Sequence, residues 1–291
     1  MVCFMAAVML MSVGCHKDSI TPIIPDSPII PEGALPGLFS VSATQQVFFS
    51  QGNLQYQAST NTWRFAEHQY DYVGTQTSDG FGYYGGNVSG SDNRNISSTY
   101  SGWIDLFGWG TGSNPTLSSS NQEDYGTFVD WGCNPISNGG NTNNLWRTLT
   151  KSEWDYLFNS RTDASSKCGT GNINGVGGLI ILPDSWTLPS ECSFASGFAI
   201  INPNTHPDWT HNSYTLAQWA QMEAAGAVFL PAAGYRLGTY VHDVGNFGGY
   251  WSSMPYSEYY ASNMDFNSNY LNAASNYDRF IGFSVRPVQD N

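Results

Sequence analysis

Positive charge is scarce in this chain. Ten lysines and arginines stand against 23 acidic residues over 291 positions, a net charge of −13. Nucleic-acid phosphate is bound by clustered Lys and Arg, so a nucleic-acid partner is excluded, and steering toward other anionic polymers goes with it. Charge of either sign is low: 11% of residues, where about 25% is usual for a soluble domain. No CxxC pair and no Cys/His cluster occurs, which removes a zinc site. No apolar run reaches the roughly 20 residues that a membrane-spanning helix takes. The apolar stretch from Val2 to Val13 is too short for that and ends in small residues before Cys15, the pattern of a secretion signal.

"SVGC" at Ser12 to Cys15 resembles a bacterial lipobox, which implies cleavage before Cys15 and its lipidation. Residues 1–14 are then a signal peptide and residues 15–37 a lipidated, proline-rich linker. Pro22, Pro25, Pro28 and Pro31 recur every third residue, the period of polyproline II, so they stack along one ridge of a semi-rigid spacer. About 20 such residues at roughly 3.1 Å each hold a domain some 60 Å from a surface. With Cys3 lost in the signal and Cys15 lipidated, Cys133, Cys168 and Cys192 remain; an exported compartment permits one disulfide and one odd thiol, with the pair left open.

What the chain has in quantity is aromatic residues, 15%, and glycine, 31 residues. Residues 38–291 read as one domain. Alternation at Leu54 and Tyr56, a turn through Ser59, Thr60 and Asn61, and alternation again at Trp63 and Phe65 predict a β-hairpin. From Gly74 to Asn144, Gly, Ser, Asn and Thr surround the islands "SGWIDLFGWGTG" and "TFVDWGCNPI", which predicts long loops pinned by aromatics. Two helices announce themselves by capping boxes. Thr150 with Glu153 precedes Trp154, Leu157 and Phe158 on one face, and Thr215 with Gln218 precedes Trp219 and Met222, with Gly226 placed to end the helix. Buried strands follow each, in "GGLIILP" and "GAVFLPAAGYR". The sum is an α+β domain of short strands, two main helices and long ordered loops.

The stretch from Tyr250 to Val288 is the most unusual. Asn, Tyr and Ser make up half of the residues from Met254 to Ile281, between firm hydrophobic ends. In strand register Met264 and Phe266 share one face and Asn263 and Asp265 the other, the pattern of a half-buried strand. Tyr256, Tyr259, Tyr260, Asn267, Asn269, Tyr270, Asn272, Asn276, Tyr277 and Asp278, with Asn263 and Asp265, then form loops and one exposed face. Antibody paratopes have this composition, because Tyr supplies large contact area at small entropic cost while Ser and Asn adapt their hydrogen bonds. Arg279 and Arg286 pair with internal carboxylates or meet a ligand, and for Arg286, beside Pro287, the structural role is favoured.

"WRTLTKSEWDYLF", from Trp146 to Phe158, resembles a segment of the formylglycine-generating (sulfatase-modifying) family, a branch of the C-type lectin fold, and "GFSVRPV", Gly282 to Val288, looks like that fold's last core strand. The segments "FSQGNLQYQASTNTWRFAEHQYDYVG" and "YSGWIDLFGWGT" are similar to those of a group of Bacteroidetes lipoproteins. The resemblance implies a C-type lectin-like domain. Formylglycine generation uses paired cysteines late in the domain, and no cysteine follows Cys192, so no such catalysis is expected. His68, His206, His211 and His242 form no recognisable nucleophile and base motif. The Glu-Pro-Asn, Gln-Pro-Asp and Trp-Asn-Asp triplets of calcium-dependent lectins do not occur. Asn202 to Trp209, "NPNTHPDW", is the remaining oxygen-rich candidate for calcium and reads better as turns capped by Asn and Asp; no cofactor is expected. "YWSS", the Asn/Tyr/Ser run and "GFSVRPV" resemble the variable region of proteins diversified by retroelements, in which Tyr277, Asp278, Phe280 and Ile281 stand where altered Asn codons lead. The expected function is non-catalytic recognition of a protein or glycan on another cell, phage or host surface by an outer-membrane or cell-surface lipoprotein, touching the membrane only through its lipid. The second reading is a structural cell-envelope or adhesin subunit with a fixed assembly partner.

Overall fold

The computed structural model describes residues 28–74, 88, 92–198 and 208–291. The expected signal peptide, Cys15, the linker prolines Pro22 and Pro25, His206 and most of the calcium candidate lie outside these residues. In chain order the elements are β1 (Phe39–Ser40), β2 (Gln46–Phe49), β3 (Leu54–Gln57), β4 (Thr62–Phe65), α1 (Lys151–Asp155), β5 (Cys168–Ile173), β6 (Val176–Ile181), β7 (Ser213–Tyr214), α2 (Leu216–Ala224), β8 (Val228–Pro231), β9 (Tyr235–Leu237), β10 (Tyr240–His242), β11 (Gly248–Pro255), β12 (Tyr260–Asn267), β13 (Tyr270–Asp278) and β14 (Val288–Asp290). The fold is α+β. Its strands pair antiparallel in small sheets, β1-β2-β14, β3-β4, β9-β10, β11-β12-β13 and β7-β5-β6-β8, with β5 and β7 parallel.

Both helices start as their sequences dictate. Thr150 Oγ1 accepts from the Glu153 amide while the Glu153 carboxylate accepts from the Thr150 amide, and Thr215 and Gln218 repeat the exchange. Each box satisfies two amides that a helix start leaves without partners. After Asp155 the first helix widens into a π-turn, Tyr156–Ser160, which carries Leu157 and Phe158 into the core. Gly226, at φ +96°, ends α2, and its amide donates to the Glu223 carbonyl. The β3-β4 hairpin turns through Ala58–Thr60 to Asn61, which sits left-handed at φ 48°.

The core divides around the C-terminal sheet. One cluster joins Phe39, Phe49, Trp154 and Leu179 to Tyr250, Met264 and Phe266. Another joins Trp63, Phe107, Trp131 and Trp146 to Trp251, Ile281 and Phe283. The loops before α1 are held by the aromatics of the two islands: Trp109 and Trp131 are buried, and Tyr56 bridges Ile104 while Phe107 bridges Phe283. Packing begins ahead of residue 38, since Leu35 is buried and its amide donates to the Phe49 carbonyl. The expected disulfide is absent: Cys133, Cys168 and Cys192 are all free thiols. Cys168 is fixed on β5 inside the core, while Cys133 ends the 3-10 turn Trp131–Cys133 and Cys192 lies on a loop.

Candidate functional site

The C-terminal sheet fixes where each candidate points. β12 pairs with β11 through Gly248↔Phe266, Gly249↔Asp265, Tyr250↔Met264 and Trp251↔Asn263, and with β13 through Asn263↔Ser275, Asp265↔Asn272 and Asn267↔Tyr270. The register shifts between Trp251 and Pro255 and again between Asn263 and Asp265, two bulges that bend the sheet. Met264 and Phe266 face the first cluster, as their alternation predicts.

The opposite face is closed as well, which corrects the expectation of a half-buried strand. Asn263 and Asp265 are 1% and 3% exposed. The ring of Phe283 lies on β11 at Gly249, where an added Cβ would stand 2.5 Å from the ring, and Trp251 and Tyr277 pack on the same ring at 4.8 and 5.2 Å. These rings arrive from distant sequence, so period-two reading of β12 alone could not reveal them. Burial raises the pKa of Asp265, while Ser275, Asn263 and Tyr270 act to lower it by hydrogen bonding. Ile281, a candidate variable position, is also core, packed with Trp251 and Phe283.

Tyrosine supplies most of the large exposed side chains of this sheet. Tyr256 is 56% exposed and Tyr259 49%, with Tyr260, Tyr270 and Tyr277 following at 38–40%. Tyr256 and Tyr259 lie on the β11–β12 loop, Tyr260 starts β12, and Tyr270 and Tyr277 lie near the two ends of β13. Several polar candidates build the scaffold. Asn267 Oδ1 accepts from the amides of Asn269 and Tyr270 at 2.9 and 3.1 Å to form the β12–β13 turn, and Asn272 Oδ1 accepts from the Ala274 amide beside the bulge. The Asp278 carboxylate accepts from Gln122 Nε2 at 2.5 Å. Asn269 and Asn276 remain partly exposed, and Asn272 is exposed.

Arg279 fixes the tyrosine loop from beneath. Only 6% exposed, it donates to the carbonyls of Ser257 at 2.6 Å, Tyr125 at 3.1 Å and Tyr260 at 3.5 Å, and its guanidinium carbon lies 4.6 Å from the Trp109 ring centre. Arg286, 1% exposed, donates to Gln69 Oε1 at 2.9 Å and, more weakly, to the Phe229 carbonyl and Asn53 Oδ1; burial brings its pKa down to about 10. Neither arginine pairs with a carboxylate: neutral carbonyls and amides receive both, and both are structural.

Two parts of this surface were missed from sequence. The β9-β10 hairpin extends the aromatic face: Tyr240 stands 6.3 Å from His242, His242 stacks on Tyr235 at 5.2 Å, Tyr235 meets Phe247 at 6.1 Å, and Phe247 meets Tyr277 at 6.3 Å. Alternating rings in "YRLGTYVH", around Gly238 at φ +60°, were the available signal. On the other side, Trp109, Thr111, Glu123, Asp124 and Tyr125 line a cleft of about 260 Å³, and Arg279 donates to the carbonyl of its Tyr125.

The histidines stand apart. His68 stacks on Tyr70 and His211 Nε2 meets the Ser196 carbonyl at 3.0 Å. Of the calcium candidate, Asp208 caps a turn by accepting from the Thr210 amide and hydroxyl. Among the described residues no group of three His, Cys, Asp or Glu side chains is arranged for a metal ion, and no helix is long and apolar enough to cross a membrane.

Residues 211–288, which contain the whole tyrosine face, match a family model described as a domain of unknown function (DUF8237). No curated protein matches the chain, and no solved structure does.

Proposed function

We propose that this chain is a non-catalytic recognition protein that binds a protein or glycan through the tyrosine face of its C-terminal sheet. One observation carries the reading: five exposed tyrosines are concentrated within the span from Tyr256 to Tyr277 of a sheet whose central strand is buried on both faces. Large exposed rings on a rigid frame are costly in water and lose little entropy on contact, the property of a paratope. A C-type lectin-like scaffold suits the two capped helices, the short antiparallel strands and the long pinned loops. Display as a lipoprotein, anchored at Cys15 through the proline spacer, would hold the domain off a cell surface.

The test is binding of the labelled protein to glycan arrays and to intact bacterial and host cells, before and after Tyr256→Ala, Tyr259→Ala and Tyr270→Ala. Each change at a contact tyrosine weakens binding by about 2 kcal/mol, more than tenfold, with melting temperature held within a few degrees. Binding that survives all three, or that is lost only with folding, sinks the proposal. Diversification of the segment by a retroelement is tested separately, by searching the DNA beside the gene for a near-copy of codons 254–281 that differs only where the copy has adenine. In that case the altered codons fall at exposed positions such as 256, 259, 270 and 277 and spare 263 and 265.

A further inference from the structure

We propose that the β13 edge of this face, along Tyr270 and Tyr277, docks a lysine or arginine side chain presented by a partner polypeptide. This rests on the recognition reading above and names the ligand class.

The first ground is the distribution of charge. After Lys167 the chain contains no lysine, and its three arginines in that span, Arg236, Arg279 and Arg286, are 0%, 6% and 1% exposed and point into carbonyls and amides. Of the acidic groups around the face, Asp265 is buried like the arginines, but Glu258 is exposed and Asp243 and Asp278 are half-buried. Asp243 and Asp265 both lie close enough to Tyr270 and Tyr277 to disfavour ionisation of the two phenols, and Glu258 and Asp278 flank the face on the loop side. The surface is therefore aromatic and acidic with no exposed cation of its own on β11, β12 or β13.

The second ground lies beneath the rings. Asn263, 1% exposed, has a carbonyl oxygen with no hydrogen-bond partner, and its amide nitrogen stands 3.4 Å from Asp265 Oδ2. Asp265 also takes hydrogen bonds from Ser275 and Tyr270, so this buried pair holds the Tyr270 phenol from beneath and leaves the exposed rings and the carboxylates around them to meet a donor-rich, acceptor-free head such as ammonium or guanidinium.

The third ground is a comparison within the molecule. On the β11–β12 loop of the same face Lys151 Nζ stands 5.6 Å from the Tyr256 ring, so the chain already sets a cation over one of these tyrosines. Among the described residues no lysine or arginine takes that place over Tyr270 or Tyr277. Neutral sugars gain nothing from the carboxylate field, and anionic sugars or lipid head groups are repelled by it. A basic polypeptide gains from both the rings and the field.

The probe is a set of short immobilised peptides of equal length carrying Lys and Arg, Gln, or Glu between Gly and Ser, beside a neutral and an amino-sugar glycan, with the full chain in solution. Binding to the Lys/Arg peptide is expected, weakened about tenfold by Tyr277→Ala and by the combination Asp243→Asn, Glu258→Gln and Asp278→Asn. Asp243 sits at φ 54°, which asparagine accepts, so that combination keeps the fold. A control with the same change in net charge, Glu32→Gln, Glu67→Gln and Glu191→Gln, is exposed and outside the face and leaves binding within about twofold. Tyr277→Phe keeps the packing on Phe247 and Phe283 and separates loss of contact from loss of fold. Equal weakening by both combinations, or no retention of the basic peptide, overturns the proposal. Tyr277-dependent binding of the Gln peptide or of a glycan, with the Lys/Arg peptide no better, overturns the cation assignment and leaves the recognition face standing. If Tyr277 matters to no probe, both readings fall.

Discussion

Replacing Arg279 with alanine should release the tyrosine loop and destabilise the protein together. The guanidinium makes two short hydrogen bonds, to Ser257 and Tyr125, a long one to Tyr260, and a stacking contact with Trp109. Hydrogen bonds from a charged donor are worth about 1.5–3 kcal/mol each, and a desolvated cation–π contact adds about 1–2. These do not sum, because they share one side chain and the freed Ser257 and Tyr260 carbonyls regain water. The Tyr125 carbonyl, by contrast, stays buried. A net loss of about 3 kcal/mol lowers the melting temperature of a domain this size by about 6–12 °C. Arg279→Lys keeps the charge but not the planar fork, and should lose about half as much. Thermal unfolding measures the total, and amide hydrogen exchange locates it: the amides of Tyr256 and Ser257, which donate to the Tyr260 carbonyl, should exchange faster in the variant. A fall in melting temperature under about 2 °C with unchanged exchange across residues 256–260 would refute the assignment of Arg279 as the anchor.

Three other predictions follow from named contacts. Gly249→Ala forces a Cβ to 2.5 Å from the Phe283 ring and should cost about 1–3 kcal/mol, less when combined with Phe283→Leu; additive losses in the denaturation midpoints would show that the ring does not rest there. Asp105 is fully buried, and desolvation raises its pKa to about 7 from 3.8. Between those values the folded state holds the proton that the unfolded chain releases, so its contribution to stability is fully present below about pH 4, declines at up to about 1.4 kcal/mol per pH unit and is gone above about pH 7. Asp105→Asn should remove that decline, so a difference between wild type and variant that stays constant from pH 4 to 8 contradicts it. Thiol labelling of the native protein, mapped by mass, should mark Cys133 and Cys192 quickly and Cys168 slowly, because Cys168 is buried in the main cluster; a Cys pair resistant to labelling until reduction would contradict the free thiols.

Local signals in the sequence were readable where their causes are local. The two capping boxes, the left-handed Gly226 and the Asn61 turn depend on residues a few positions apart, and each stands where its chemistry places it. The aromatic islands were legible as anchors, since a tryptophan in a Gly/Ser-rich loop must bury its ring against something. What could not be read was which ring meets which strand. Asn263 and Asp265 alternate correctly with Met264 and Phe266, yet Phe283, Trp251 and Tyr277 seal them, and only long-range packing decides that. The same holds for Arg279 and Arg286, whose partners are backbone carbonyls and amides that carry no signature in side-chain composition. The tyrosine part of the surface was legible, but its continuation along β9-β10 was not, because it is joined through Phe247.

The anchorage of the tyrosine loop has a consequence for how this surface can change. Arg279 grips carbonyl oxygens, the Tyr256 and Ser257 amides bond the Tyr260 carbonyl, and the Arg279 amide bonds the Tyr259 carbonyl. Every one of these groups on the loop belongs to the main chain. The clamp is therefore blind to the side chains it holds, and residues 256, 258 and 259 can be exchanged for others while the loop keeps its course. Shape is inherited from one arginine, the Ser257 hydroxyl and the backbone, and the exposed chemistry above it can be rewritten one position at a time.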